Sequence, residues 1–166
     1  MALNSLTFAR LTVNAASGYW RDIQDAIDQI AVQGGDVYVP EGKWDFVNVG
    51  EDLGPVGSAK VAIPAGVNVF GMPTERTSGL PYNGIGQNPN GQVVQWKTVL
   101  VIPWDAHGTW QYSGRAWFRC YGTGDPDKSS RISDIKFMGY RSINASSVTV
   151  HVATRFQSVK NFRVDK

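Results

Sequence analysis

Cysteine is nearly absent from this chain of 166 residues, and the single Cys120 excludes an internal disulfide framework and a zinc cage built from several thiolates. Glutamate is scarce too, 3 residues against 11 Asp, and the 6 Leu are far outnumbered by 19 Val and 9 Ile. Leu and Glu are the usual helix fillers, whereas β-branched residues fit a pleated surface. With 18 Gly and 8 Pro to make turns, the composition points to a mostly β protein. Long hydrophobic runs are missing: no apolar stretch approaches the ~20 residues that cross a bilayer, so no membrane insertion is expected. The N-terminus has neither the cationic region nor the apolar region of a secretion signal. A net charge of +2 with 18% charged residues leaves no polybasic arm and no acidic solvating chain, and nucleic acid is not expected as a partner.

The charge that is present is unevenly spread. Residues 1–52 hold 8 acidic and 3 basic residues, whereas residues 115–166 hold 4 acidic and 10 basic. A basic face receiving a polyanion is one account of this; ordinary scatter over a solvated surface is the other. One amphipathic helix is predicted over residues 20–33. Trp20, Ile23, Ile27, Ile30 and Ala31 form its apolar stripe, Asp22, Asp25 and Asp28 lie off it, and Gly34-Gly35 stops it. Short β-branched or aromatic runs follow at 36–39, 44–49, 60–63, 67–70, 99–102, 116–120, 132–138, 148–152 and 159–164, each bounded by turn residues. Residues 71–95 read as a long Gly-, Pro- and Asn-rich insertion loop, and residues 103–115 as a second loop. Residues 132–138 align with 159–165 at an offset of 27, both reading apolar, polar, Asp/Asn, apolar, basic, apolar, and this repeat suggests a coiled β-solenoid.

The run Ile23-Gln24-Asp25-Ala26-Ile27-Asp28, followed by Gly34-Gly35-Asp36-Val37-Tyr38-Val39-Pro40-Glu41-Gly42, resembles the opening of pectate-lyase-like (pectin lyase-fold) proteins. Residues 64–71 resemble that family's next strand. The resemblance implies an all-β, right-handed parallel β-helix, a single domain over 1–166 whose helix at 20–33 caps the N-terminal end. The last strand has no matching cap, so a chain truncated at its C-terminal end is expected, with self-association through that end as a second use of it. The function implied is binding, and in a longer form cleavage, of an acidic polysaccharide by a protein outside the cell or on a virion or cell surface. The alternative is a non-catalytic structural solenoid, tailspike-like, adhesin-like or filament-forming. The family's hydrolase motifs (Asn-Thr-Asp, Asp-Asp, Gly-His-Gly, Arg-Ile-Lys) are missing, and its lyase residues normally lie in later coils, so these 166 residues are expected to be inactive alone.

Candidate binding residues are few. Lys136 and Arg163 occupy equivalent positions of the repeat and are expected one coil apart, about 4.8 Å, where an acidic sugar would relieve their repulsion. Two solvated side chains splaying apart is the plainer reading. His151 alternates outward between valines, as a base or as an ordinary surface histidine. Trp104, Trp110 and Tyr112, with Trp117, could present a sugar-stacking platform or fill a core. Asp125-Pro126-Asp127 could offer carboxylates to Ca²⁺, although Asp/Gly/Pro is also turn chemistry. No cofactor is otherwise expected, and His107 with Asp105 falls short of a metal site.

Overall fold

A computed structural model describes residues 10–48, 51, 59–73, 75–77, 93–101, 116–122, 129–138, 152–157 and 162–165. In chain order the elements are β1 (Leu11–Asn14), α1 (Trp20–Ile30), β2 (Gly35–Tyr38), β3 (Gly42–Asp45), β4 (Ala59–Ile63), β5 (Val67–Phe70), β6 (Glu75–Thr77), β7 (Val93–Gln95), β8 (Thr98–Val101), β9 (Ala116–Tyr121), β10 (Ser130–Ser133), β11 (Ile135–Met138), β12 (Val152–Gln157) and β13 (Phe162–Asp165).

The helix forms where the apolar stripe predicts it, with Ile23, Ala26, Ile27 and Ile30 buried. It is shorter than 20–33, because residues 31–33 turn away and Val32 is 92% exposed. Gly34 then takes φ +77 and donates its N–H to the Ile30 carbonyl at 2.8 Å, a left-handed stop that a side chain would strain. At the other end the Trp20 N–H bonds the Phe46 carbonyl at 3.0 Å, so one orphan donor of the first turn is satisfied by the chain just beyond β3. Asp22 sits in the first turn, where the helix dipole favours it, and accepts from Ser17 Oγ.

The strands form a five-stranded sheet in the order β1-β2-β5-β10-β13, two three-stranded sheets, β3-β8-β11 and β4-β9-β12, and a two-stranded sheet of β6 and β7. The first three are parallel throughout and the last is antiparallel. Burial alternates along β2, β5 and β8, so one side chain in two enters the core. One hydrophobic cluster joins all three parallel sheets to the helix. It contains Val37, Val69 and Ile132 from the five-stranded sheet, Leu100 and Ile135 from β3-β8-β11, Val61, Ile63, Phe118 and Cys120 from β4-β9-β12, and the helix isoleucines. α1 packs against β1, β2 and β4.

These findings correct the expected right-handed parallel β-helix. The described residues form mostly parallel β structure in small separate sheets with one helix, and no solenoid is detected among them. A regular solenoid advances by a fixed period. Here the advance between parallel partners is 24 residues from Leu11 to Gly35, 32 from Gly35 to Val67, 63 from Val69 to Ile132 and 32 from Ile132 to Val164. The strands are also short, three to six residues each. The insertion expected to be a loop over 71–95 contains the antiparallel pair, with Glu75 opposite Gln95 and Thr77 opposite Val93. The run 132–138, expected as one strand, is split by Asp134 at φ 60, which turns the chain from the five-stranded sheet into β3-β8-β11. Asp is among the residues that tolerate this region. The Gly71 N–H bonds the Ser133 carbonyl at 2.9 Å at that corner, and a Cβ on Gly71 would collide with the Asp134 carbonyl oxygen.

Candidate functional site

The pairing of the strands separates two residues expected side by side. Lys136 is exposed on β11 opposite Val99, whereas Arg163 lies on β13, in another sheet, opposite Arg131. The 27-residue alignment is therefore not the structural register: Ile132 pairs with Val164, not with Val159. Trp117 takes the core role rather than the platform. It is 1% exposed and stacks on Phe46, with ring centroids 5.2 Å apart, inside an aromatic core that Phe118 and Phe137 complete. Its indole N–H has no hydrogen-bond partner there. His151, Trp104, Trp110, Tyr112, His107, Asp105 and Asp125-Pro126-Asp127 lie outside the described residues. Among the described residues no group of three or more His, Cys, Asp or Glu is placed to hold a metal ion. Among them, too, no helix is long and apolar enough to cross a membrane.

What the fold does bring together is the outward face of the five-stranded sheet. Tyr38 and Phe70, register partners on β2 and β5, are both half-buried and stack with centroids 5.3 Å apart and planes 30° apart. The Arg131 guanidinium lies 5.6 Å from the Phe70 ring centroid, a cation–π distance. Two residues earlier on the same strands, Asn68 Nδ2 donates to Asp36 Oδ1 at 2.7 Å. Arg10 meets that same Asp36 oxygen at 3.2 Å and also donates to the Gly35 and Gly66 carbonyls. Across the sheet this face runs from a paired carboxylate, through an amide and an aromatic stack, to Arg131. Tyr38 and Phe70 fall in predicted strands. Their equivalence was signalled by the matching patterns Asp36-Val37-Tyr38 and Asn68-Val69-Phe70, 32 residues apart.

A second polar cluster surrounds Glu51, at the N-terminal end of α1. Glu51 accepts four hydrogen bonds: from Trp20 Nε1 at 2.6 Å and Lys60 Nζ at 3.1 Å on one oxygen, and from Tyr19 Oη and the Asn48 N–H, each at 3.0 Å, on the other. Burial pushes the carboxyl up, but these donors outweigh it and hold it below its usual value. Burial and the Glu51 carboxylate together raise the Tyr19 hydroxyl. Lys60 Nζ also sits 4.5 Å above the Trp20 ring. An ionised carboxylate with both oxygens doubly occupied is neither a proton donor nor a free base, so this cluster fastens α1 to β4. No residue spacing announces it. Cys120 is likewise no nucleophile, since burial pushes its thiol up to about 12.

Comparison with family models, with curated proteins and with solved structures finds no match to this chain.

Proposed function

We propose that the chain binds an acidic polysaccharide across the outward face of the five-stranded sheet. The observation that carries this reading is the half-exposed Tyr38–Phe70 stack with the Arg131 guanidinium against it. Aromatic faces suit the C–H faces of pyranose rings, while a guanidinium suits a uronate carboxylate. Neighbouring strands repeat at about 4.8 Å, so successive contacts of the face are spaced on the scale of a sugar unit. In this arrangement Tyr38 and Phe70 stack on the sugar, Asn68 and Asp36 hydrogen-bond hydroxyls, and Arg131 holds a carboxylate. The reading is of binding alone, since the described carboxylate in the best-built polar cluster, Glu51, already has both oxygens occupied.

The test is a calorimetric titration with oligogalacturonates and with a neutral oligosaccharide of equal length. Wild type should prefer the acidic ligand, and its affinity should fall as salt rises, because exposed charges are screened within about 8–10 Å at physiological ionic strength. Tyr38→Leu/Phe70→Leu should weaken binding about tenfold or more, since losing an aromatic contact is expected to cost about 1–3 kcal/mol. Equal affinity of wild type and a folded double variant, or preference for the neutral sugar, would overturn the reading.

A further inference from the structure

We propose that Lys43 and Lys136, on the outer side of the β3-β8-β11 sheet, form a second subsite, one that holds two carboxylates of a single oligouronate while the sugar between them rests on Val99. The proposal rests on the reading of this chain as an acidic-glycan binder and adds a contact on a different sheet. β8 is the middle strand of that sheet. Burial alternates along it: Thr98 and Leu100 enter the core, whereas Val99 and Val101 face outward, half-buried. On the flanking strands Lys43, Asp45 and Lys136 are exposed, and Met138, two residues past Lys136, is half-buried. Trp44 and Phe137, which alternate with them, pack against the core instead. The parallel register lays the outward side chains in two rows, Lys43–Val99–Lys136 and Asp45–Val101–Met138.

Three features make this face more than two surface lysines. First, the middle strand sets their spacing: Lys43 and Lys136 stand two strand steps apart, about 10 Å between backbones, with an apolar residue rather than a third charge between them. Second, Val99, Val101 and Met138 give the face a half-buried apolar floor, which suits the C–H face of a pyranose ring and gains by being covered. Third, the ion pairs among the described residues are Arg10–Asp36 and Lys60–Glu51, so neither lysine is committed to a carboxylate there. Each ammonium is a compact charge on a flexible stem, so each meets one carboxylate without a fixed fork geometry. Asp45 lies in the Val101 row, where it can accept a sugar hydroxyl and repels a carboxylate, which confines the acidic groups to the lysine row. The chemistry selects a carboxylate-bearing sugar over a neutral one.

The test uses the full chain and oligogalacturonate, with the same oligosaccharide reduced at its carboxyls as the neutral control. Lys43→Gln/Lys136→Gln should weaken oligogalacturonate binding about tenfold, as two exposed charge contacts allow, and leave the neutral control unchanged. Both lysines are exposed, so the unfolding midpoint should not move. Each single variant should lose part of that affinity, and Lys43→Arg/Lys136→Arg, which keeps both charges, should retain it. Arg21→Gln removes one charge from the exposed side of α1 and should bind as wild type. A loss from Arg21→Gln equal to that of a single lysine variant would reduce the effect to net charge and overturn the subsite. If the lysine variants bind as wild type while Tyr38→Leu/Phe70→Leu loses affinity, this subsite is overturned and the five-stranded face stands. If the lysine variants lose affinity while Tyr38→Leu/Phe70→Leu does not, the subsite stands and the five-stranded face falls. Failure of wild type to bind oligogalacturonate overturns both.

Discussion

The side of the molecule that α1 covers and the side away from it solve the same problem differently. Near the helix, charges come in opposite pairs. Arg10 meets Asp36, Lys60 meets Glu51, and the Glu51 carboxylate is wrapped by four donors. Away from the helix, in β9/β12 and β10/β13, the register sets arginine opposite arginine in two sheets. The overall distribution agrees, with acidic residues concentrated in 1–52 and basic residues in 115–166. Parallel backbone ladders and a continuous buried row such as Val37, Val69 and Ile132 tolerate either arrangement. The helix-covered side is thus held by opposite charges, whereas on the far side the backbone register alone sets these arginines opposite one another.

Three experiments sharpen that contrast. The largest effect is expected from Ile27→Asp, because Ile27 is fully buried where α1 meets the sheets. An unpaired charge there should cost on the order of 3–5 kcal/mol in denaturant unfolding, whereas Val32→Asp, two residues past the helix, should stay within about 0.5 kcal/mol. Equal stabilities would show that the helix is not what the covered side depends on.

Glu51→Gln comes next. Its amide must turn an NH₂ toward one of the two donor pairs, which should cost about 2 kcal/mol near neutral pH. The pH dependence carries a sign. Because the folded-state pKa of Glu51 lies below its ordinary 4.5, its contribution is present above that value and is lost as pH falls through the folded pKa. Wild type should therefore lose stability on acidification below about 4.5, and the Gln variant should lose less over the same window. Parallel acid limbs for the two proteins would count against the cluster as a fastening.

The smallest effect is expected from Gln24→Ala. Gln24 reaches from α1 to β4, where its Oε1 accepts the Ala62 N–H at 2.7 Å and its Nε2 approaches the Ala62 carbonyl at 3.4 Å. Removing it leaves that backbone N–H without its acceptor, at a cost of about 1–2 kcal/mol in thermal or denaturant unfolding. No change in stability would mean that water serves Ala62 as well as the helix does.

How much of this was legible in the sequence depends on the distance over which each feature is decided. The stripe of Ile23, Ile27 and Ile30 is a local pattern, and it gave the helix and its buried face; the helix itself ends at Ile30, and residues 31–33 form the turn that Gly34 closes onto the Ile30 carbonyl. Strand 67–70 was readable from its own alternation. The split at Asp134 was not, since it depends on Gly71 approaching from 63 residues earlier. Register was least legible. Similar strings at 132–138 and 159–165 suggested one offset, but parallel partners are chosen by corners and core packing far apart in sequence, which set another. The pairing of Lys136 with Arg163 failed for that reason, whereas the Tyr38–Phe70 register does follow the matching strings 36–38 and 68–70. Trp117 was ambiguous by nature, because an indole serves a core as readily as a surface.

The Gln24 contact also gives the molecule a direction. By offering an acceptor and a donor to one residue of β4, a side-chain amide imitates a neighbouring strand at an edge that would otherwise recruit one. β9 pairs with β4 on the opposite flank, and β12 lies beyond it. The backbone ladder of this sheet therefore extends from β4 on one flank only. One amide thus makes the two flanks of β4 unlike, with a strand on one and a side-chain substitute for a strand on the other.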